Sequence, residues 1–295
     1  MSDQDQLQWE ARAGRPAAVA AFAAGVLLLA GTFVLQSIFE DRPKVDSLPD
    51  FLLSVNDKPS TLIVSSILLA VSALCLIPVF YYLFRATLHR LPTFPRWFVY
   101  LILIGPIFYA ASQVLGAVDR VDVAQTFADR ASDVGKFCPA IEGKAGKECA
   151  TDLLQDNVNP AGIGLSLAGT IATAFMFVML PLRARRAGLM SQFMGILGVV
   201  AGALIVLKIT PLVPEIIQAF WLGAMGALFL GNWPGGRGPA WETGTAEPWP
   251  GAAERRGLVP AGGGEASTNG APPETPEPEP VPQRPSSRKR RKKRR

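Results

Sequence analysis

Twenty-four consecutive residues, Thr61 to Phe84 (TLIVSSILLAVSALCLIPVFYYLF), carry no charge, and the basic segment RATLHR follows at once. An α-helix rises 1.5 Å per residue, so roughly 20 apolar residues cross a ~30 Å hydrocarbon core. A soluble core element would interleave polar residues at a period near 3.6 or 2. This run does not, and its solvent is therefore lipid. Four further uncharged runs recur along the chain, Pro16–Phe39, Trp97–Val118, Ala161–Leu182 and Ala187–Leu207, and one more apolar run at about Leu212–Gly231 carries Pro214 and Glu215 at its start. The pattern predicts an all-α polytopic membrane bundle of six transmembrane helices. The first run exceeds a 7–15-residue signal-peptide core and lacks a small-x-small cleavage pattern, so it is expected to stay as a helix.

Lys and Arg placement gives an orientation. Arg85, Arg90 and Arg96 lie in the connection between runs two and three, and Arg183, Arg185 and Arg186 between runs four and five; neither connection holds an acid. The other three connections, counted together with Glu215 at the start of run six, are net acidic. Both termini are then expected in the cytoplasm, with Tyr81, Tyr82, Trp97 and Trp233 near that interface. The expected organisation is a cytoplasmic N-tail over 1–15, a transmembrane domain over 16–231 with an outer loop at 119–160, and a disordered tail over 232–295.

In the outer loop, DRVDVAQTFADRASDV has the periodicity of a short amphipathic helix. Cys138 and Cys149 bracket CPAIEGKAGKEC, and outside the cell two such cysteines are expected to form a disulfide. Lys208 and Glu215 flank the turn between runs five and six and could pair across it. The tail is rich in Gly, Pro, Glu and Ser, a composition that cannot offset its ordering entropy. Trp233, Trp241 and Trp249 repeat every eight residues at its base, suited either to the interface or to docking. Its end, Arg288, Lys289, Arg290, Arg291, Lys292, Lys293, Arg294 and Arg295, explains the whole-chain charge of +5. A tethered basic cluster gains up to ~1 kcal/mol per residue at an anionic leaflet. Anionic lipid headgroups are its expected partner, and nucleic acid only a non-specific one.

Chemical motifs are scarce. One histidine and three cysteines leave little for a metal or haem site, and HExxH, CxxCH and phosphate-cradling glycine–lysine loops are all missing. No catalytic residue and no cofactor are expected. No run carries a charge near its centre, the usual mark of an ion or proton pathway. Gly105-Pro106 in the third run and Pro78 in the second can bend their helices, and Gln113 offers a hydrogen-bonding side chain; together Gly105, Pro106 and Gln113 outline a candidate solute path. Gly198 and Gly202 match a small-xxx-small pattern for close helix packing, within one chain or between a partner's or a second copy's helices.

The stretch MSQFMGILGVVAGALIVL … FWLGAMGALFLGNWPGGRGPAWETGTAEPWPG, about Met190 to Gly251, resembles uncharacterised conserved integral-membrane proteins of high-GC Gram-positive bacteria. The resemblance implies a protein of the bacterial cytoplasmic membrane and carries over no site residues. The resulting functional expectation is a non-enzymatic accessory, scaffold or regulatory membrane subunit. The alternative is a small neutral-solute transporter.

Overall fold

The computed structural model describes residues 2–39, 48–132, 143–156, 159–207, 212–234 and 236–250. Among them the chain is helical, with no strand. The helices are α1 (Asp3–Gln36), α2 (Leu48–Asp57), α3 (Pro59–Arg90), α4 (Phe98–Ser132), α5 (Gly143–Asp156), α6 (Pro160–Arg186), α7 (Gln192–Leu207), α8 (Val213–Leu230) and the single turn α9 (Ala240–Thr243), with a 3₁₀ turn at Ser37–Phe39.

Six helices close into a ring. α1 packs on α3, α3 on α4, α4 on α6, α6 on α7, α7 on α8, and α8 returns to α1, while α3 and α6 also touch across the middle. Small residues let the backbones approach. Ala17, Ala18, Ala21 and Ala24 of α1 are buried, and Gly25 lies against the Ala219 carbonyl of α8. Between α1 and α3, Ser65 Oγ donates to Gly31 O at 2.8 Å and Ser72 Oγ to Ala24 O at 2.8 Å. The outward faces stay apolar, as Val19, Ile67, Leu103, Leu167 and Phe220 illustrate.

Five helices, α1, α3, α4, α6 and α8, are long and apolar enough to cross a membrane. The fifth run, Ala187–Leu207, departs from expectation: the helix starts at Gln192, and its 16 residues reach only about 24 Å. Residues 187–191 form the α6–α7 turn instead, with Gly188 at φ 73°. Leu189 and Met190 are apolar because they are covered by protein, not because they meet lipid.

Three other boundaries differ. The expected N-tail is helical from Asp3, capped by Ser2, whose hydroxyl accepts from Asp5 N. Its 34 residues span about 51 Å, some 20 Å more than a hydrocarbon core requires. The amphipathic segment after Val118 is no separate helix but the continuation of α4 to Ser132. There α4 meets α2 and α5 over a second apolar cluster containing Ile38, Leu52, Val55, Val123, Phe127 and Leu153. This cap closes the end of the ring called distal here. The opposite, basal end carries the start of α1, the α3–α4 and α6–α7 turns and the end of α8.

The chain divides into one unit over 1–251 and another over 252–295. The expectation of a tail disordered from 232 is corrected for 232–250. That segment, called the strap below, lies on the basal end: Ala240 and Trp241 are buried, and Trp233 and Trp249 pack half-buried against the main core. Burial of three indoles supplies the contact area that a Gly/Pro-rich composition does not advertise. The eight basic residues 288–295 lie outside the described residues.

Candidate functional site

Three features of the ring bear on function: a lock at the basal end, an aromatic plug with a small cavity beyond it, and a lateral groove near the distal cap.

The lock is built on two helices in phase. Running back along the buried stripe of α1 from Ala24, Ala21 and Ala17 leads to Gly14, Glu10 and Gln6, all buried. Running forward along α3 from Leu76, Val79 and Leu83 leads to Ala86 and Arg90. Glu10 and Arg90 therefore face one another inside the protein. Their pairing is bidentate, Arg90 Nη1 to Glu10 Oε1 at 2.6 Å and Nη2 to Oε2 at 3.0 Å, with side-chain exposures of 0% and 3%. Gln6 Nε2 donates a further bond to Glu10 Oε1 at 2.9 Å. A buried charge pair of this kind persists only when its remaining hydrogen-bonding capacity is met.

Arg90 meets that need by gripping the strap. Its Nε and Nη2 donate to Ala240 O at 2.9 and 2.6 Å, and Nη1 donates to Ala86 O at 3.0 Å. Beside it, Trp241 Nε1 donates to Leu189 O at 2.8 Å. The Trp241 ring stacks on Tyr82 with centroids 5.8 Å apart, and Tyr82 stacks on Trp9 at 5.4 Å. Tyr82 was expected at the membrane interface; it points inward instead, its hydroxyl donating to Glu10 O at 3.2 Å. Arg237 completes the lock, donating to the Leu228 and Phe229 carbonyls at the end of α8, where helical carbonyls lack partners. Gly188 fits beneath because a Cβ there would collide with the Glu247 carbonyl of the strap.

Above the lock, Phe80, Phe177 and Trp221 fill the middle of the ring. All three are buried. Phe80 meets Phe177 edge-on at 5.0 Å, and Phe177 meets Trp221 at 5.1 Å. Trp221 is fixed by its Nε1 donating to Met194 O at 3.1 Å. Next to this plug is a cavity of about 30 Å³, with Ser72, Tyr109, Thr173 and Gln218 among its lining. Thr173 Oγ1 is buried with no hydrogen-bond partner among the described residues. A cavity of that size accepts one or two water molecules.

The groove lies between α4 and α6. The two helices touch where Gly169 meets the Tyr109 backbone. Beyond that contact they diverge, leaving a cleft of about 590 Å³ lined by Ser112, Gly116, Asp119 and Arg120 of α4, and by Asn159, Ser166 and Thr170 on the facing side. That volume falls within the range of small-molecule sites.

Residues singled out in the sequence fall as follows. Gly105 is a contact point: a Cβ there would lie 3.0 Å from Ala172 Cβ and 3.1 Å from Met176 Cε of α6. Pro106 is buried within a helix that continues through it from Phe98 to Ser132. Gln113 is half-buried and hydrogen-bonds the Tyr109 side chain, one turn back on the same helix. Gly198 packs on Pro181 and Trp221, and Gly202 on Ala174 and Phe177, so both serve contacts within this chain. Cys149 is half-buried on α5 beside the distal cluster. Cys138, and with it the expected Cys138–Cys149 pair, lies outside the described residues, as does Lys208 and its expected pairing with Glu215. The lock was not foreseen, although the helical phase of Gln6 and Glu10 with the alanine stripe was there to be read.

No protein-family model matches the chain, and neither a curated protein nor a solved structure matches it.

Proposed function

We propose that this protein is a non-enzymatic, multi-pass subunit of the bacterial cytoplasmic membrane that acts through partners as an accessory, scaffold or regulatory component. One observation carries the reading: the basal end of the ring is closed twice, by the strap gripped through Arg90 and by the aromatic plug of Phe80, Phe177 and Trp221. A carrier must open each end in turn around a midplane site. Here opening the basal end means breaking a desolvated ion pair and withdrawing Trp241. A static frame supports binding by its ends and faces rather than passage through its middle.

In this reading six helices lie in the bilayer, α7 being short for the purpose, and both termini are cytoplasmic. The basal clustering of Arg85, Arg90, Arg96, Arg183, Arg185 and Arg186 supports that orientation. The distal cap then faces outward, pinned by a Cys138–Cys149 disulfide. Residues 251–295 reach into the cytoplasm, where 288–295 contact anionic headgroups or an acidic partner.

A second reading, a carrier for small neutral solutes, is favoured by the polar cavity beside Tyr109 and Thr173. One pair of experiments separates the two. The full chain and a chain ending at Pro250 are purified from native membranes in mild detergent, and Gln113→Leu is compared with the parent in proteoliposome uptake. The scaffold reading expects a stoichiometric partner that is lost or depleted with residues 251–295, and no effect of Gln113→Leu on flux. A partner-free protein from both chains, together with flux that falls in Gln113→Leu, would reverse it.

A further inference from the structure

We infer that the groove between α4 and α6 is a phospholipid site, holding one acyl chain along its wall and the phosphodiester head at its distal rim. The inference does not depend on the partner-binding reading above.

Depth is the first argument. Arg120 lies 22 residues beyond Phe98 on one continuous helix, about 33 Å along its axis. Asn159 precedes the first residue of α6, about 36 Å from Arg183 at that helix's basal end. Both rim residues thus sit one ~30 Å hydrocarbon thickness from the basal boundary, the level of lipid phosphates. Below them the wall is mainly apolar, with Ser112, Ser166 and Thr170 as its polar members. Ile163, Leu167, Ile171 and Val206 line the groove and are each more than half exposed, so the cleft is continuous with the lipid-facing surface.

Charge complementarity identifies the head. Among the described residues no ion pair engages Arg120, whose planar guanidinium suits a phosphate. Asn159 Oδ1 accepts from Ala161 N at 3.0 Å, which leaves its amide N–H groups to donate. α6 starts at this rim and adds the partial positive charge of a helix N-terminus. Asp119 also lines the rim, its Oδ2 beside Gly162, and it would repel a bare anion. The head that satisfies all of these brings its own donor next to the phosphate, a hydroxyl or an ammonium. Phosphatidylglycerol and phosphatidylethanolamine have one; phosphatidylcholine does not.

The groove is also fillable without touching the core. Nothing lies within 4 Å of a Cβ built at Gly116, and Ser166 is exposed. The test uses native mass spectrometry of the full chain released from nanodiscs of phosphatidylglycerol, phosphatidylethanolamine or phosphatidylcholine. Wild type is expected to keep one phosphatidylglycerol or phosphatidylethanolamine, and phosphatidylcholine several-fold less. Gly116→Leu and Ser166→Phe should each reduce retention by about ten-fold or more, and Arg120→Gln by about five-fold. Val19→Phe, on the far lipid-facing surface of α1, should change nothing. Circular dichroism and gel filtration check each fold, and any one of the three groove variants that folds suffices. Equal retention by all variants would mean annular lipid only and would overturn the inference. So would displacement of the lipid by inorganic phosphate, which would make the head alone the ligand, or co-purification of a phosphate-free amphiphile in the groove.

Discussion

Glu10→Ala is expected to be among the most damaging single substitutions in this protein, lowering its stability by about 3–5 kcal/mol. The cause is what stays behind rather than what leaves. Arg90, with a side-chain exposure of 0%, would keep its charge facing two carbonyls, Ala86 O and Ala240 O, and the Trp241 ring 5.5 Å away, without its counter-charge. Gln6 would lose its acceptor in the same step. Replacing both members of the pair, Glu10→Met with Arg90→Met, should recover most of the loss, because two packed apolar side chains of similar length leave no orphaned charge. The double variant should nonetheless loosen the strap, since Ala240 O loses both of its Arg90 donors. Unfolding of purified protein in detergent, followed by tryptophan fluorescence, reads both effects: stability from the transition, and strap release from Trp241. A Glu10→Ala loss below about 1 kcal/mol would place the pair in the class of solvent-exposed ion pairs, contrary to its burial.

Gly169→Leu should be comparably severe by a different route. A Cβ at this position would collide with the Tyr109 backbone, lying 2.8 Å from its Cα and 2.9 Å from the Phe108 carbonyl carbon. Backbone cannot rotate aside as a side chain can, so α4 and α6 must separate along the contact that divides cavity from groove. Overpacking of this kind costs about 1–3 kcal/mol where neighbours can adjust, and more where they cannot. Gly164→Leu is the matching control on the same helix: it is exposed, nothing lies within 4 Å, and its effect should stay within about 0.5 kcal/mol. Equal stability of the two variants in the same unfolding assay would contradict the close crossing.

The bundle was legible because its signal is coarse. Runs such as Thr61–Phe84 need only be uncharged and long, and α3, α4 and α6 cover the expected spans with polar extensions at their ends. What composition could not give was the use of residues at the run boundaries. Leu189 and Met190 read as membrane-embedded because hydropathy cannot tell a lipid neighbour from a tryptophan lying over the chain. Trp233, Trp241 and Trp249 sit in a segment whose glycines and prolines argue for disorder, and only their docking on α3, α8 and the α6–α7 turn reverses that argument. Arg90 counted as one more basic residue marking a cytoplasmic loop; its periodicity with Leu83 and Ala86 was the finer clue that it turns inward. Gln113 was visible as an uncommon amide in an apolar helix, yet its partner Tyr109, four residues earlier, could be named only once the helix was in place. The groove had no signature of its own. It arises from the divergence of two helices after Gly169, a property of their crossing and of no single residue.

The claim on which the account rests is that the basal end stays shut. Electron–electron double resonance between spin labels at Gln8 on α1 and Thr245 on the strap, both solvent-exposed, measures this directly in nanodiscs. The lock predicts one narrow distance distribution that is the same in every lipid and with or without the cell extract that supplies partners. A second population longer by roughly 5 Å or more, the displacement of a one-turn helix shift, would mean that the strap leaves its seat and that the ring opens.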